Sequence, residues 1–197
     1  MHLRTLVTMI MVSPALAFAE EQAAEGGRSP DGAYEVRISG VPQTDVPAYD
    51  ISIYSLKPEK HLFSLPDIGG YLRYSTALER DHAYWHKSSH YVAITDQGTR
   101  HSRELYIVDV SGGRSELIKQ PDFYQNALGR IDAVEVDFAR VVTPQNWEGD
   151  DLFLQLYLTA NNRRSYTFEV VLQLIHGPQT APRLALKSVR KMKEEEG

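Results

Sequence analysis

Apolar and polar residues alternate with a period of two through most of this chain. The clearest run covers residues 152–158, where four leucines alternate with two aromatic residues and Gln155. Residues 34–38 and 166–174 show the same alternation. A period of two predicts β-strands that bury one face and expose the other, as antiparallel strands do. We therefore expect an all-β domain built mainly of antiparallel meanders.

The predicted strands fall into three successive sets, each with a long strand, a second strand and a shorter third one. Their expected bounds are 34–38, 49–56 and 61–65 in the first set, 91–95, 104–110 and 115–119 in the second, and 152–159, 165–175 and 183–189 in the third. Trp85 and Trp147 hold equivalent places, each just before a turn and a new strand. At most one or two short helices are expected. The best helix signal runs from Asp122, the expected N-cap, to Leu128, with Gly129 as the stop.

Residues 84–113 carry a recurring sequence pattern. Trp85 ends one strand, an apolar strand begins at Tyr91, and the return strand from Leu105 reads Leu-Tyr-Ile-Val-Asp. A Ser-Pro-Asp-Gly turn at residues 29–32 precedes the equivalent strand of the first set. This combination resembles the blade repeat of periplasmic β-propellers of the Tol-translocation type. The resemblance implies a binding scaffold.

The number of sets limits how such blades can be arranged. Closed propellers have at least four blades, so three sets cannot close a ring within one chain. We expect either a propeller-like open sheet or a β-sandwich. A monomer is favoured, and a dimer in which two chains complete a ring is the alternative.

The first nineteen residues have the build of a secretory signal peptide. Arg4 supplies a positive charge, residues 6–16 supply a short apolar segment, and Ala-Phe-Ala at 17–19 supplies a cleavage site before Glu20. The apolar segment is shorter than the roughly 20 residues that a transmembrane helix needs. We expect a signal peptide over residues 1–19, cleaved after Ala19, and a periplasmic or secreted protein.

The remaining chain divides into three expected parts. Residues 20–28 are polar and Gly-rich, which predicts a flexible lead-in. Residues 29–190 form a single β domain, and residues 191–197 form a charged C-terminal tail. No second apolar run approaches spanning length, so no membrane span is predicted in the mature chain.

Composition narrows the possible partners and chemistry. The net charge is −5 at pH 7, and nucleic acid is not an expected partner because phosphate contacts need concentrated Lys and Arg. The chain has no cysteine, which excludes disulfides and a thiol nucleophile. No Gly-x-Ser-x-Gly nucleophile motif and no phosphate-binding glycine pattern occurs. We predict no catalytic residues and no cofactor.

The densest group of ionisable residues contains four histidines, His82, His86, His90 and His101. On a helix the first three would share one face and could bind zinc. Trp85 and Tyr91 instead indicate strand ends joined by a turn, where the imidazoles need not converge. We therefore predict no metal site and retain the four histidines as candidates for a loop surface that contacts a partner.

These observations predict a non-catalytic β-scaffold that binds a protein or another envelope component. The alternative is a metal-dependent or hydrolytic enzyme that uses the region of the four histidines. A small-ligand carrier with an apolar cavity is a third interpretation. The acidic turn at residues 148–151 lacks the Asp-x-Asp-x-Asp-Gly spacing of a dedicated calcium loop, so a solvated turn is expected there.

Overall fold

The computed structural model describes residues 21–41, 48–65, 82–99, 102–113, 115–131, 139–159, 164–177 and 181–192. The expected signal peptide, His101 and most of the expected C-terminal tail lie outside these ranges. The described strands are β1 (Glu21–Arg28), β2 (Tyr34–Val41), β3 (Ala48–Leu56), β4 (Glu59–Ser64), β5 (Ala83–Trp85), β6 (Tyr91–Thr99), β7 (Ser102–Asp109), β8 (Glu116–Leu117), β9 (Ala139–Glu148), β10 (Asp151–Thr159), β11 (Ser165–Ile175) and β12 (Arg183–Lys191). The described α-helix is α1 (Phe123–Leu128).

The described strands form three units of four, which we call unit 1 (β1–β4), unit 2 (β5–β8) and unit 3 (β9–β12). Unit 1 is a separate sheet with its strands in chain order. Units 2 and 3 share one larger sheet, because β7 and β9 pair in parallel at Ser102–Arg140 and Arg103–Val141. The other described strand pairs are antiparallel. Both sheets are open as far as the chain is described.

Two apolar cores lie between the units. The first core joins units 1 and 2 and contains Val36, Ile38, Ile51, Ile53, Val92, Ile94, Val108 and Val110. The second core joins units 2 and 3 and contains the four leucines of β10 together with Ala93, Leu105, Ile107, Phe168, Val170 and Leu172. Unit 2 is therefore covered on both faces, whereas units 1 and 3 each keep one face outside the cores.

Strand β6 shows how the sequence specifies a central unit. Val92 and Ile94 belong to the first core, and Tyr91 and Ala93 belong to the second. Successive side chains of a strand lie on opposite faces, so a strand that is buried on both sides has a continuous apolar sequence. In β10 only every second residue is a buried leucine, which fits a strand with one face outside the core.

Helix α1 agrees with the sequence prediction. The carboxylate of Asp122 accepts a hydrogen bond from the Gln125 amide at 3.0 Å, so Asp122 is the N-cap. Gly129 follows the last turn as the C-cap. Phe123 and Ala127 are the buried residues of the helix, and both belong to the second core.

The expected all-β class with antiparallel meanders is confirmed, but the expected flexible lead-in is wrong for residues 21–28, which form β1. This strand pairs with β2 through main-chain hydrogen bonds, which do not depend on apolar side chains. Most of its side chains are exposed, and only Ala24 and Gly27 are buried. A Cβ atom at Gly27 would lie 2.6 Å from the carbonyl oxygen of Val36, so the close approach of β1 requires glycine there.

No helix among the described residues is both long enough and apolar enough to cross a membrane.

Candidate functional site

Three hairpin turns meet at one end of the units. They are turn 1 (residues 29–33, after β1), turn 2 (residues 86–90, after β5) and turn 3 (residues 149–150, after β9). The Asp31 amide donates a hydrogen bond to Ser89 Oγ at 3.1 Å. His86 Nε2 lies 2.7 Å from the carbonyl oxygen of Gly149. Each turn therefore contacts the next one, and we call this region the turn end.

The carboxylate of Asp31 organises turn 1. Its Oδ1 accepts hydrogen bonds from the Ala33 amide at 2.9 Å and from the Ser29 hydroxyl at 2.7 Å. Ser29 Oγ in turn accepts from the Tyr34 amide at 2.9 Å. Hydrogen bonds to the charged form lower the pKa of Asp31, the Ala33 amide contributing most and Ser29 next. Gly32 supplies the positive φ of 69° that the turn needs.

His86 is buried in turn 2, with only 3% of its surface exposed. Its Nδ1 accepts a hydrogen bond from the Ser88 amide at 3.2 Å. Because Nδ1 is an acceptor, this bonding pattern assigns the proton of the neutral imidazole to Nε2, which donates to the Gly149 carbonyl. The ring also packs edge-on against Trp147, with the ring centroids 5.1 Å apart. His86 thus links unit 2 to unit 3.

Asp150 lies between two imidazoles at the turn end. Its Oδ1 is 3.4 Å from His86 Nε2 and 3.6 Å from His176 Nε2. The other nitrogen of His176 lies 3.4 Å from the hydroxyl of Tyr91. Burial raises the pKa of Tyr91, and the nearby carboxylates of Asp109 and Asp150 raise it further. The phenol therefore stays protonated near neutral pH and can donate to His176.

The described histidine candidates do not come together in one site. His82 Nδ1 lies 3.3 Å from Glu25 Oε2 in unit 1, whereas His86 faces unit 3. His90 is exposed, and its ring lies edge-on to Tyr91 with the centroids 6.4 Å apart. Within the described ranges, no group of three or more His, Asp or Glu side chains is arranged to hold a metal ion.

Two indole rings join the first strands of successive units. Trp85 in β5 donates its Nε1–H to the carbonyl of Gly27 in β1 at 2.9 Å. Trp147 in β9 donates its Nε1–H to the carbonyl of Tyr84 in β5 at 3.0 Å. Trp85 packs against the first core and Trp147 against the second. We call each of these contacts an indole latch, and the equivalent places of the two tryptophans in the sequence correspond to equivalent contacts.

The outer face of unit 3 lies opposite the buried leucines of β10 and carries an open groove. Its volume is about 260 Å³, and it is lined chiefly by Gln145, Asn146, Phe153, Gln155, Glu169 and Met192. Met192 is 41% exposed, and Phe153 is half-buried. The Gln155 side chain is exposed and makes no hydrogen bond to the part of the chain that the structure describes. The groove thus combines apolar surface with amide groups.

A β-bulge shapes this groove. Phe153 pairs with Asn146 and the next residue, Leu154, pairs with Pro144, so Gln145 is an extra residue in β9. Bulges change the direction of the side chains around them, and proline interrupts a strand ladder because it has no amide hydrogen. Gln145 and Asn146 consequently line the same groove, although they are consecutive residues.

The outer face of unit 1 has a different character. Arg37 contacts three carboxylates there, those of Glu35 at 2.7 Å, Glu59 at 2.7 Å and Glu21 at 3.3 Å. Its guanidinium also lies 4.5 Å from the ring centroid of Tyr54. These hydrogen bonds, with Glu35 first, raise the pKa of Arg37. This face is therefore a charged, solvent-facing surface.

No protein-family model, curated protein or solved structure matches the chain at a significant level. Sequence reasoning missed the contacts of Asp150 and His176 at the turn end, because they depend on how units 2 and 3 dock. It also missed the groove, although a proline at position 144 close to Trp147 is a local signal for an interrupted strand.

Proposed function

We propose that this protein is an exported, non-catalytic β-scaffold that binds a protein or another component of the cell envelope. One observation supports this proposal above the others. At the turn end His86, Asp150 and His176 contact one another or the main chain across units 2 and 3, whereas the groove on the outer face of unit 3 leaves Phe153 and Gln155 available for a ligand.

The alternative, a metal-dependent or hydrolytic enzyme, needs an accessible base beside a nucleophile or a metal. His86 is buried and uses both ring nitrogens for contacts inside the protein. His82 contacts Glu25 where the first strands of units 1 and 2 lie side by side, so its ring takes part in a contact between these two units. Among the described histidines that lie beside a carboxylate, His176 has the most exposed side chain, so an enzyme would have to use His176 with Asp150.

Two measurements on the chain from Glu20 onward test this function. The first measures binding to envelope fractions, with peptidoglycan and extracted envelope proteins assayed separately. The second measures turnover of chromogenic ester, phosphate, glycoside and peptide substrates with and without added divalent metal. The proposal predicts saturable binding to one fraction and no turnover. Turnover that disappears in His176→Ala would overturn it.

Export itself needs a separate measurement. Expression of residues 1–197 followed by cell fractionation should place a shortened protein, beginning at Glu20, outside the cytoplasm. An uncut chain that remains in the cytoplasm would contradict this part of the proposal.

A further inference from the structure

The indole latches follow a regular order along the chain. Each acceptor carbonyl lies two residues before the residue that closes the following hairpin, Gly27 before Ser29 and Tyr84 before His86. The turns that follow these strands are also alike, since the Ser29 amide donates to the Tyr34 carbonyl and the His86 amide donates to the Tyr91 carbonyl. In unit 3 the hairpin closes at the pair of Glu148 and Asp151, so the corresponding residue is two positions before Glu148, next to Trp147.

That residue is Asn146, and it lines the groove on the outer face of unit 3. Unit 1 accepts the indole hydrogen bond of Trp85 from unit 2, and unit 2 accepts that of Trp147 from unit 3. In unit 3 the same position belongs to the groove, and no described residue of this chain donates an indole N–H there. The groove therefore lies where a third indole latch would form if the series of units continued.

The side chains around Asn146 suit an aromatic ring. Phe153 is half-buried and supplies an apolar surface, and Met192 supplies a polarisable thioether that is favourable beside aromatic rings. Gln155 contributes an amide without a partner among the described residues. An indole matches this combination, because it is a large apolar ring with one N–H donor.

A second copy of this chain is a poor occupant. The unit that would dock next in a continued series is unit 1, whose residue before turn 1 is Arg28 rather than tryptophan. Its outer face carries Arg37 with Glu21, Glu35 and Glu59, and packing that face on the groove would bury charges. Unit 1 thus resembles a terminal repeat with a polar outer face.

We infer that the groove on the outer face of unit 3 binds a tryptophan side chain from an extended segment of a different protein, with the main chain at Asn146 as the indole acceptor. This inference rests on the proposed binding function and names the chemistry of the partner. The segment docks in the place that a fourth unit would take, by the contact that already joins units 1, 2 and 3.

Three fluorescein-labelled peptides test the inference by fluorescence anisotropy. Each is a short, uncharged Thr/Ser peptide with blocked ends, and the central residue is Trp, Phe or Ala. The Trp peptide should bind at least tenfold more tightly than the Ala peptide, with the Phe peptide between them because it keeps a ring but lacks the N–H. Equal binding of the three peptides, or no binding by any of them, would overturn the inference.

Variants of the protein locate the site. Gln155→Lys should weaken binding of the Trp peptide at least tenfold, because Gln155 lies directly across from Glu169 and a lysine there can pair with that carboxylate over the groove. Phe153→Ala should have a similar effect by removing the apolar wall. Gln125→Lys is the matched control, since Gln125 is exposed on α1 and lies outside the groove.

Thermal melts of both groove variants show whether they are folded, and Gln155→Lys decides the result if Phe153→Ala is unfolded. Trp-peptide binding that is unchanged in Gln155→Lys contradicts the assignment to this groove. Saturable binding of Gln155→Lys to an envelope fraction, at wild-type affinity, would refute the groove inference while leaving the scaffold function intact. Catalytic turnover would refute the scaffold function itself.

Discussion

The indole nitrogen of Trp147 donates a hydrogen bond to the carbonyl of Tyr84 over 3.0 Å, although the two residues are 63 positions apart in the chain. Trp147 belongs to unit 3 and Tyr84 to unit 2, and both pack against the second core. A hydrogen bond and apolar contact thus occur together at one interface. The equivalent bond from Trp85 to Gly27 joins units 1 and 2.

Trp147→Phe should lower the free energy of unfolding by about 1–2 kcal/mol, because it removes one hydrogen bond and part of a packed ring. Urea unfolding followed by circular dichroism measures the change, and the slope with urea should stay constant. An unchanged midpoint would mean that the latch does not contribute to docking of unit 3.

Neighbouring residues of β10 should respond very differently to truncation. Leu156 has no exposed surface, so Leu156→Ala should cost about 2–5 kcal/mol of unfolding free energy. Gln155→Ala, one residue away on the outer face, should change it by less than about 0.5 kcal/mol. Similar losses in the two variants would contradict the assignment of the faces of unit 3.

His86 and His90 belong to the same turn but have different expected roles. His86→Ala removes the bond to the Gly149 carbonyl and a buried ring that packs against Trp147, which should cost about 1–3 kcal/mol. His90→Ala should have an effect within about 0.5 kcal/mol, because His90 is exposed. Chemical denaturation of both variants beside the wild type gives the comparison, and a stable His86→Ala protein would refute the linking role of His86.

The pH dependence of stability should report on Asp31. Its pKa is lower in the folded protein than its ordinary value of 3.8, so folding favours the carboxylate. The stabilisation is therefore complete above the unfolded pKa and is lost as pH falls through the folded pKa. Asp31→Asn cannot titrate, and its unfolding free energy should fall less steeply than that of the wild type below about pH 5. Parallel curves for the two proteins would contradict this contribution.

Local patterns in the sequence predicted much of the fold. The leucines of β10 alternate without interruption, and the capping residues of α1 flank a short helical segment, so both elements could be assigned before the structure. Strand β9 could not be assigned in this way. Val142 and Pro144 are buried, but the extra residue Gln145 shifts the pattern so that the inward residue after it is Trp147. One bulge therefore removes the period of two on which the prediction depends.

The candidate site was less accessible to sequence reasoning, because its contacts are between units. The bond from His86 to Gly149 and the pair formed by Asp150 and His176 join residues that are far apart in the chain. No local spacing rule identifies such contacts. The spacing of the four histidines indicates turn 2 as a candidate surface, and His86 and His90 lie in that turn. The spacing does not indicate that His86 is buried and links units 2 and 3.

Thermal unfolding of the chain from Glu20 onward, with zinc or with a chelator, tests most directly whether the histidine-rich turn end is structural rather than metal-binding. A metal that binds only the folded state at a hundred times its Kd would stabilise it by about 2.7 kcal/mol. The account predicts one cooperative transition with the same midpoint in both conditions. A midpoint raised by zinc and restored by the chelator would contradict it and make a metal-dependent function the leading interpretation.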